Sequence, residues 1–330
     1  MTAAVAGRPV HSVDMTAIGT RVRVATTDPA ALEPARRIVA DALRELDEVA
    51  SRFRATSELG MLNAVAADAA IRWPVVSDVL WDCLEAAETT ERLTGGLVTP
   101  AIGAALIAWG YDRDLDEVLR RDPTTLPLGA PLTLPGRWSL DRETRTVELA
   151  PGTALDLGAS AKARTADVLA DLLVDRFGAG FLVDLGGDIS CRGGSPTGGW
   201  RIGVADRSDT RRQTLCVHGD LAVCTSSVQR RRWARADATA HHIIDPRTGA
   251  PAAEIWGQVS CAAPSALEAN AASTAAIILG DDAIHWLERR RIAALLVTAP
   301  AAIDDAADSE PEGYEIRVEG WPERADEHDE

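Results

Sequence analysis

Three short segments of the 330-residue chain carry polar residues that packing alone does not require. The first, Asp156-Leu157-Gly158-Ala159-Ser160-Ala161-Lys162, reads as a strand end that turns through glycine into a helix start. Free backbone N–H groups and the positive end of a helix dipole favour phosphate there, and Lys162 projects from the first turn. Lys162 is also the single lysine among 34 Lys and Arg residues, and a compact ammonium does not replace a planar guanidinium at close quarters. The segment is read as a phosphate or carboxylate contact; the plain alternative is an exposed helix lysine near Asp156.

The second segment runs from Thr225-Ser226-Ser227 through Arg230-Arg231-Arg232 to His241-His242-Ile243-Ile244-Asp245-Pro246-Arg247-Thr248-Gly249. Asp before Pro, with Gly closing, is turn chemistry. A histidine on a short apolar strand just before such a turn can serve as general base, because imidazole titrates near neutrality; a structural histidine is the other reading. In the third segment, Asn270 and Thr274 are four apart and face one side of a helix. Two neutral oxygens suit Mg²⁺, which keeps waters and bridges phosphates. The competing explanation is a small-residue packing face whose Ser and Thr bond back to the helix.

The elements that position these segments follow from periodicity. Met15 to Thr26 alternates as a first strand, and Asp28-Pro29 starts a long amphipathic helix with Leu32, Ala35, Ile38, Val39, Ala42, Leu43, Leu46 and Val49 at helical spacing. A second helix over 78–93 ends at Gly95-Gly96. Helices are predicted over 160–177, 267–279 and 283–290, and strands over 181–185, 200–204, 221–225, 259–263 and 292–298. Residues 314–318 could add a last strand. Strands and helices alternate without a short repeat, which predicts a mixed α/β, or α+β, architecture.

Composition narrows the partners. A formal charge of −16 and a pI near 4.8 argue against a nucleic-acid backbone or an anionic membrane surface. No apolar stretch is long enough to span a bilayer, and residues 1–13 lack a basic end followed by an apolar run, so a cytoplasmic location is expected. Five scattered cysteines without a Cys-x-x-Cys pair indicate neither a disulfide framework nor a zinc site.

Taken in order, Met15, Ser57-Glu58-Leu59 with Asn63, Gly95-Gly96, Trp109-Gly110-Tyr111, Asp156-Leu157-Gly158 with Lys162, Asp184-Leu185-Gly186-Gly187-Asp188, the His242 to Gly249 turn and the Asn270/Thr274 pair resemble the ApbE family of FAD:protein FMN transferases. The resemblance implies a two-lobed fold with mixed β-sheets flanked by helices over residues 15–300, and residues 112–153, rich in Pro, Asp, Arg and Thr, read as loops with short strands that form a seam between the lobes. Residues 1–14 would be a loose leader and 301–330 an acidic tail. It implies an enzyme that binds FAD and Mg²⁺, releases AMP and esterifies FMN to a Thr or Ser of an acceptor protein carrying an FMN-binding domain. By position, Met15, Phe53, Leu97, Val98, Thr99, Asp156, Lys162, Ile244 and Ser273 would contact FAD. Asn270, Thr274 and the Ala159 carbonyl would ligate the metal, and His242 would deprotonate the acceptor hydroxyl.

Four departures qualify the match. Asn270 stands where the family usually has aspartate, Val98-Thr99-Pro100-Ala101 where it usually reads Phe-Asp-Pro-Thr, Gln229 in place of an aromatic near the His turn, and Ala163 in place of a glycine. An amide is a weaker magnesium ligand than a carboxylate, so the competing expectation is a flavin-binding protein that stores or delivers FAD without turnover.

Overall fold

The computed structural model describes residues 9–75, 77–129, 132–205, 211–236, 238–299 and 315–322. The chain opens with a hairpin, β1 (His11–Ala17) and β2 (Thr20–Thr26), rather than one strand from Met15. Ile18 and Gly19 both take positive φ, the geometry of a two-residue turn whose twist matches its strands. Ile18 is not a residue that announces such a turn, so the break was not visible in the alternation. The hairpin also extends into the expected loose leader, with β1 paired from His11 onward.

After it come α1 (Pro29–Ala50), α2 (Glu58–Ala66), β3 (Ile71–Pro74), α3 (Asp78–Thr94), α4 (Gly103–Ala108), α5 (Leu115–Arg120), β4 (Trp138–Asp141) and β5 (Thr146–Leu149). Then follow α6 (Ala161–Phe177), β6 (Phe181–Leu185), β7 (Asp188–Arg192), β8 (Trp200–Ala205), β9 (Arg211–Val217) and β10 (Leu221–Ser227). The last part holds β11 (Arg232–Ala234), β12 (Thr239–His241), β13 (Ile244–Asp245), β14 (Ala250–Pro251), β15 (Trp256–Ala263), α7 (Ala266–Leu279), α8 (Ala283–Arg290), β16 (Ala293–Thr298) and β17 (Glu315–Arg317). Of the expected acidic tail, 301–314 and 323–330 lie outside the described residues, while β17 pairs with β16.

Eight strands form the main sheet in the order β1-β2-β6-β7-β10-β15-β16-β17. The expected α+β class holds. Within it every pair in this sheet is antiparallel, because hairpins and returning helices bring successive strands back in opposite directions.

Period-two alternation divides the strands between two cores. Val22, Val24, Phe181, Val183, Ala222, Cys224, Val259, Cys261, Ala294 and Leu296 face the helical layer of α1, α3, α6 and α7. Ala25, Leu182, Val223, Ala262, Leu295 and Val297 face the other way, onto Trp200, Ile202, Leu215 and Val217 of the β8–β9 hairpin. The sheet is therefore covered on both faces. A third, smaller cluster joins Leu106, Tyr111, Val118, Trp233, Ala240 and Ile244, with Phe53 and Trp109 against it.

Candidate functional site

Backbone chemistry fixes the Asp156 turn first. The Asn63 amide donates to the Leu155 carbonyl (2.9 Å) and accepts from the Leu155 N–H (2.8 Å), which clamps the chain just before the turn from 92 residues away. Asp156 Oδ1 then accepts from the Gly158 N–H at 2.8 Å, and its other oxygen pairs with Arg52. Val98, Thr99, Asp156, Ala159 and Ser160 line one cleft together with Ala87, Thr90 and Pro100. Four of the sequence-derived site residues thus share a wall.

Arg52 links this cleft to the third cluster. Its guanidinium lies 4.1 Å from the Phe53 ring centre and 4.8 Å from that of Tyr111, distances at which a ring face attracts a cation. Tyr111 stacks on Trp233 with centroids 5.2 Å apart. The Trp233 indole donates to the Trp109 carbonyl, and the Trp109 indole donates to the Gly249 carbonyl, both at 2.9 Å. The Trp109-Gly110-Tyr111 motif is therefore docked on the end of the histidine turn. Gly249 sits at φ +67°, and a Cβ there would lie 2.2 Å from the Thr133 carbonyl oxygen, so the turn closes only on glycine.

The two histidines have different duties. His241 is buried; its Nε2 faces the Ala252 carbonyl at 3.0 Å and its Nδ1 accepts from the Ile243 N–H at 3.3 Å, which commits both nitrogens to backbone. His242 has a buried Nδ1 with no protein partner. Burial pushes its pKa well below the ordinary imidazole value, and Arg231, His241 and Lys162 push in the same direction. It is neutral at physiological pH, the state in which an imidazole accepts a proton.

Lys162 does not pair with Asp156. It reaches across to Asp188, at the start of β7, and to the Leu185 carbonyl at 3.4 Å. Gly186 and Gly187, both at positive φ, make the tight turn that brings Asp188 back, and a Cβ on Gly186 would collide with Thr20. The other Asp188 oxygen accepts from the Asn270 amide nitrogen at 2.7 Å. On the same helix Ser273 and Thr274 both share a hydroxyl bond with Ser226, at 2.8 Å each.

The remaining sequence-derived residues are less open. Met15 and Leu97 pack partly buried against the main core, Phe53 sits in the aromatic cluster, and Ile244 and Ser273 are closed off by their neighbours. Arg52 and Asp188 are the partners that reading the sequence missed as site residues, since each is made by pairing across 104 or 82 positions. The signal for Asp188 was present in the Gly-Gly turn that precedes it.

Two oxygen donors on α7 are of a type that a hard cation takes. Asn270 Oδ1 is buried without a partner, and Thr274 offers a hydroxyl one turn on. Ala159, the third residue of the expected set, lines the Asp156 cleft. These are oxygen donors of the kind magnesium takes with phosphate and water. Among the described residues no group of three or more His, Cys, Asp or Glu converges on a point, so a thiolate or imidazole metal centre is not the pattern here.

Comparison with known proteins gives the family. The ApbE family model matches residues 18–296. The FAD:protein FMN transferase of Treponema pallidum is 35% identical over 288 residues, covering 80% of this chain and 77% of that protein. The protein of the same name from Vibrio cholerae is 28% identical, covering 73% and 72%. Among solved structures, the flavin transferase ApbE from Vibrio cholerae superposes with a TM-score of 0.72 at 21% identity, covering 94% of this chain and 98% of that one. The ApbE protein from Thermotoga maritima superposes with the same TM-score at 23% identity, covering 88% and 94%. The chain belongs to the ApbE family.

Proposed function

We propose that this chain is an FAD:protein FMN transferase, which moves the FMN half of FAD onto a Thr or Ser hydroxyl of an acceptor protein with an FMN-binding domain. In this reaction the acceptor oxygen forms a bond to the FMN-side phosphorus, the bond to the bridging pyrophosphate oxygen breaks, and AMP leaves. His242 takes the hydroxyl proton at its uncommitted Nδ1. The observation that carries the reading is this neutral imidazole, whose Nδ1 is left without a protein partner beside a histidine whose two nitrogens are both spent on backbone.

The cleft at Asp156, Ala159 and Thr99 would hold the dinucleotide, and Arg52 keeps Asp156 in place. Asn270, Thr274 and the Ala159 carbonyl would hold Mg²⁺, which supplies charge neutralisation at the pyrophosphate. Lys162 reaches the same neighbourhood with its charge balanced by Asp188. A cytoplasmic setting is supported by five free cysteines, four of them buried. Among the described residues no helix is long and apolar enough to cross a membrane.

The test is to incubate the protein with FAD, Mg²⁺ and an FMN-binding domain, and to follow the intact mass of that domain. His242→Ala is expected to slow transfer by about 10² to 10⁴ while FAD affinity, read by flavin fluorescence, stays within about threefold. Because the native pKa is depressed, the base stays unprotonated as pH falls to about 6.5, so the acid limb of the rate profile lies below that value. A variant that loses FAD binding together with transfer, or an acid limb centred above 6.5 in the wild type, would remove His242 as the base.

A further inference from the structure

We propose that Asp188 is a positioning residue for the metal-ligating helix, and that it does so by fixing which end of the Asn270 amide faces outward. The inference rests on the magnesium reading of Asn270 given above. Asp188 is 1% exposed, and both of its oxygens act as acceptors: one takes the Lys162 ammonium, the other faces Asn270. An amide facing such a group must present its NH₂ end. The Nδ2 to Oδ1 distance of 2.7 Å is that bond.

The consequence falls on the other end of the amide. With Nδ2 committed, Asn270 Oδ1 is left buried and unpaired, on a residue only 6% exposed. A buried acceptor without a partner is costly unless a ligand completes it. Rotation of the amide by half a turn would not relieve the oxygen, because it would set it against the Asp188 carboxylate, acceptor against acceptor. Asp188 therefore blocks the rotation and keeps a bare oxygen where a cation can use it.

The same geometry accounts for asparagine at 270. An aspartate there would bring a second carboxylate to hydrogen-bond distance of Asp188, with one ammonium, Lys162, to balance two charges in a buried place. The amide and the acid are complementary. The negative charge of this region stands one bond further from the ligand position, on β7 instead of α7, and acts through Asn270 without touching the metal.

Binding of Mn²⁺, used as the probe in place of Mg²⁺, is measured by the EPR signal of the free ion, with the full chain and saturating FAD. Thermal unfolding without metal is recorded in parallel. Wild-type protein that takes up no Mn²⁺ would remove the metal reading itself, before the present proposal is reached. If the wild type binds, Asp188→Asn is expected to weaken Mn²⁺ by about tenfold or more, in the range for residues that orient a ligand.

The exchanged pair, Asp188→Asn with Asn270→Asp, sets an amide and a carboxylate face to face again. It is expected to recover Mn²⁺ affinity to within about threefold of wild type and, without metal, to unfold above both single variants. Wild-type Mn²⁺ affinity in Asp188→Asn overturns the proposal, as does an exchanged pair that, without metal, unfolds no higher than Asn270→Asp. Should Asp188→Asn fail to fold, the exchanged pair decides alone through its metal-free unfolding, since a carboxylate at 270 can bind Mn²⁺ directly: unfolding above Asn270→Asp sustains the proposal, and unfolding at or below it refutes it.

Discussion

Helices α1 and α7 pack in the same layer on the same sheet, yet they are built on opposite terms. In α1 the buried residues Ala31, Ala35, Val39, Leu43 and Leu46 form one stripe at helical spacing, and the other face carries Glu33, Arg36, Arg37, Asp41 and Arg44 in ion pairs with one another. In α7 burial continues all the way round, from Ala269 to Ile278, and the polar residues Asn270, Ser273 and Thr274 lie inside it. A polar group on α1 can be satisfied by water. One on α7 needs a protein partner or a ligand, which is why its hydroxyls bond to Ser226 and its amide to Asp188.

Even the helix ends differ. The α1 start is capped locally, with the Asp28 carboxylate accepting from Ala30 at 2.9 Å. The α7 start has Ser265 and, in addition, the buried Asp167 of α6, which accepts from Ala266 at 2.9 Å and Leu267 at 3.1 Å. Asp167 is balanced in turn by Arg192 at 2.9 Å. A helix so enclosed cannot be placed by its own sequence; its neighbours place it. Polar residues inside an enclosed helix are therefore better pointers to function than polar residues on an amphipathic one.

The largest effect that sharpens this contrast is on stability alone. Leu43→Ala in the α1 stripe leaves a cavity under a fully buried side chain and is expected to cost about 2 to 5 kcal/mol in denaturant unfolding, with FAD affinity of the folded fraction unchanged. If flavin affinity fell with stability, α1 would be part of the site and the division of labour would fail.

Asn270→Asp in α7 should show the reverse profile. Replacing an amide donor by a carboxylate beside Asp188 is expected to cost about 1 to 3 kcal/mol in the metal-free protein, through loss of the hydrogen bond and like-charge repulsion. Mg²⁺ should then raise the unfolding temperature of the variant more than that of wild type, because the cation neutralises the added charge. An unchanged unfolding temperature without metal, or no extra gain with Mg²⁺, would place Asn270 on a packing face.

The contrast also explains how much of the molecule could be read from sequence. The α1, α3 and α6 helices and the 181–185 strand were legible because an amphipathic or apolar run ends in recognisable caps and glycines. Residues 267–279 were legible as a helix, but without a hydrophobic stripe nothing in them said which way Asn270 points. That depends on Asp188, 82 residues earlier and on another element. The Ile18-Gly19 turn was hidden by a β-branched residue at φ +45°, and the covering of the second sheet face by β8 and β9 by the period-two pattern itself, which marks a strand without naming what lies against it. The candidate site was legible as a set of motifs. The ion pairs that join Arg52 to Asp156 and Lys162 to Asp188 were not, because local spacing carries no information about them.

The smallest expected effect is on the exposed face of α1, and it tests the comparison from the other side. Arg44 and Asp41 lie 3.0 Å apart with side chains 64% and 69% exposed. Two flexible side chains in water gain little Coulomb energy from pairing, and ordering them offsets much of that gain. Arg44→Ala should therefore change unfolding free energy by no more than about 0.5 kcal/mol at low salt, and by less as salt screens the pair. Alanine also carries the higher helix propensity, which opposes even this loss. Denaturant unfolding at low and high ionic strength measures both quantities. A loss well above 1 kcal/mol that persists in high salt would mean that this face is not solvated in the working protein, and α1, like α7, would then be a helix whose polar residues answer to a partner.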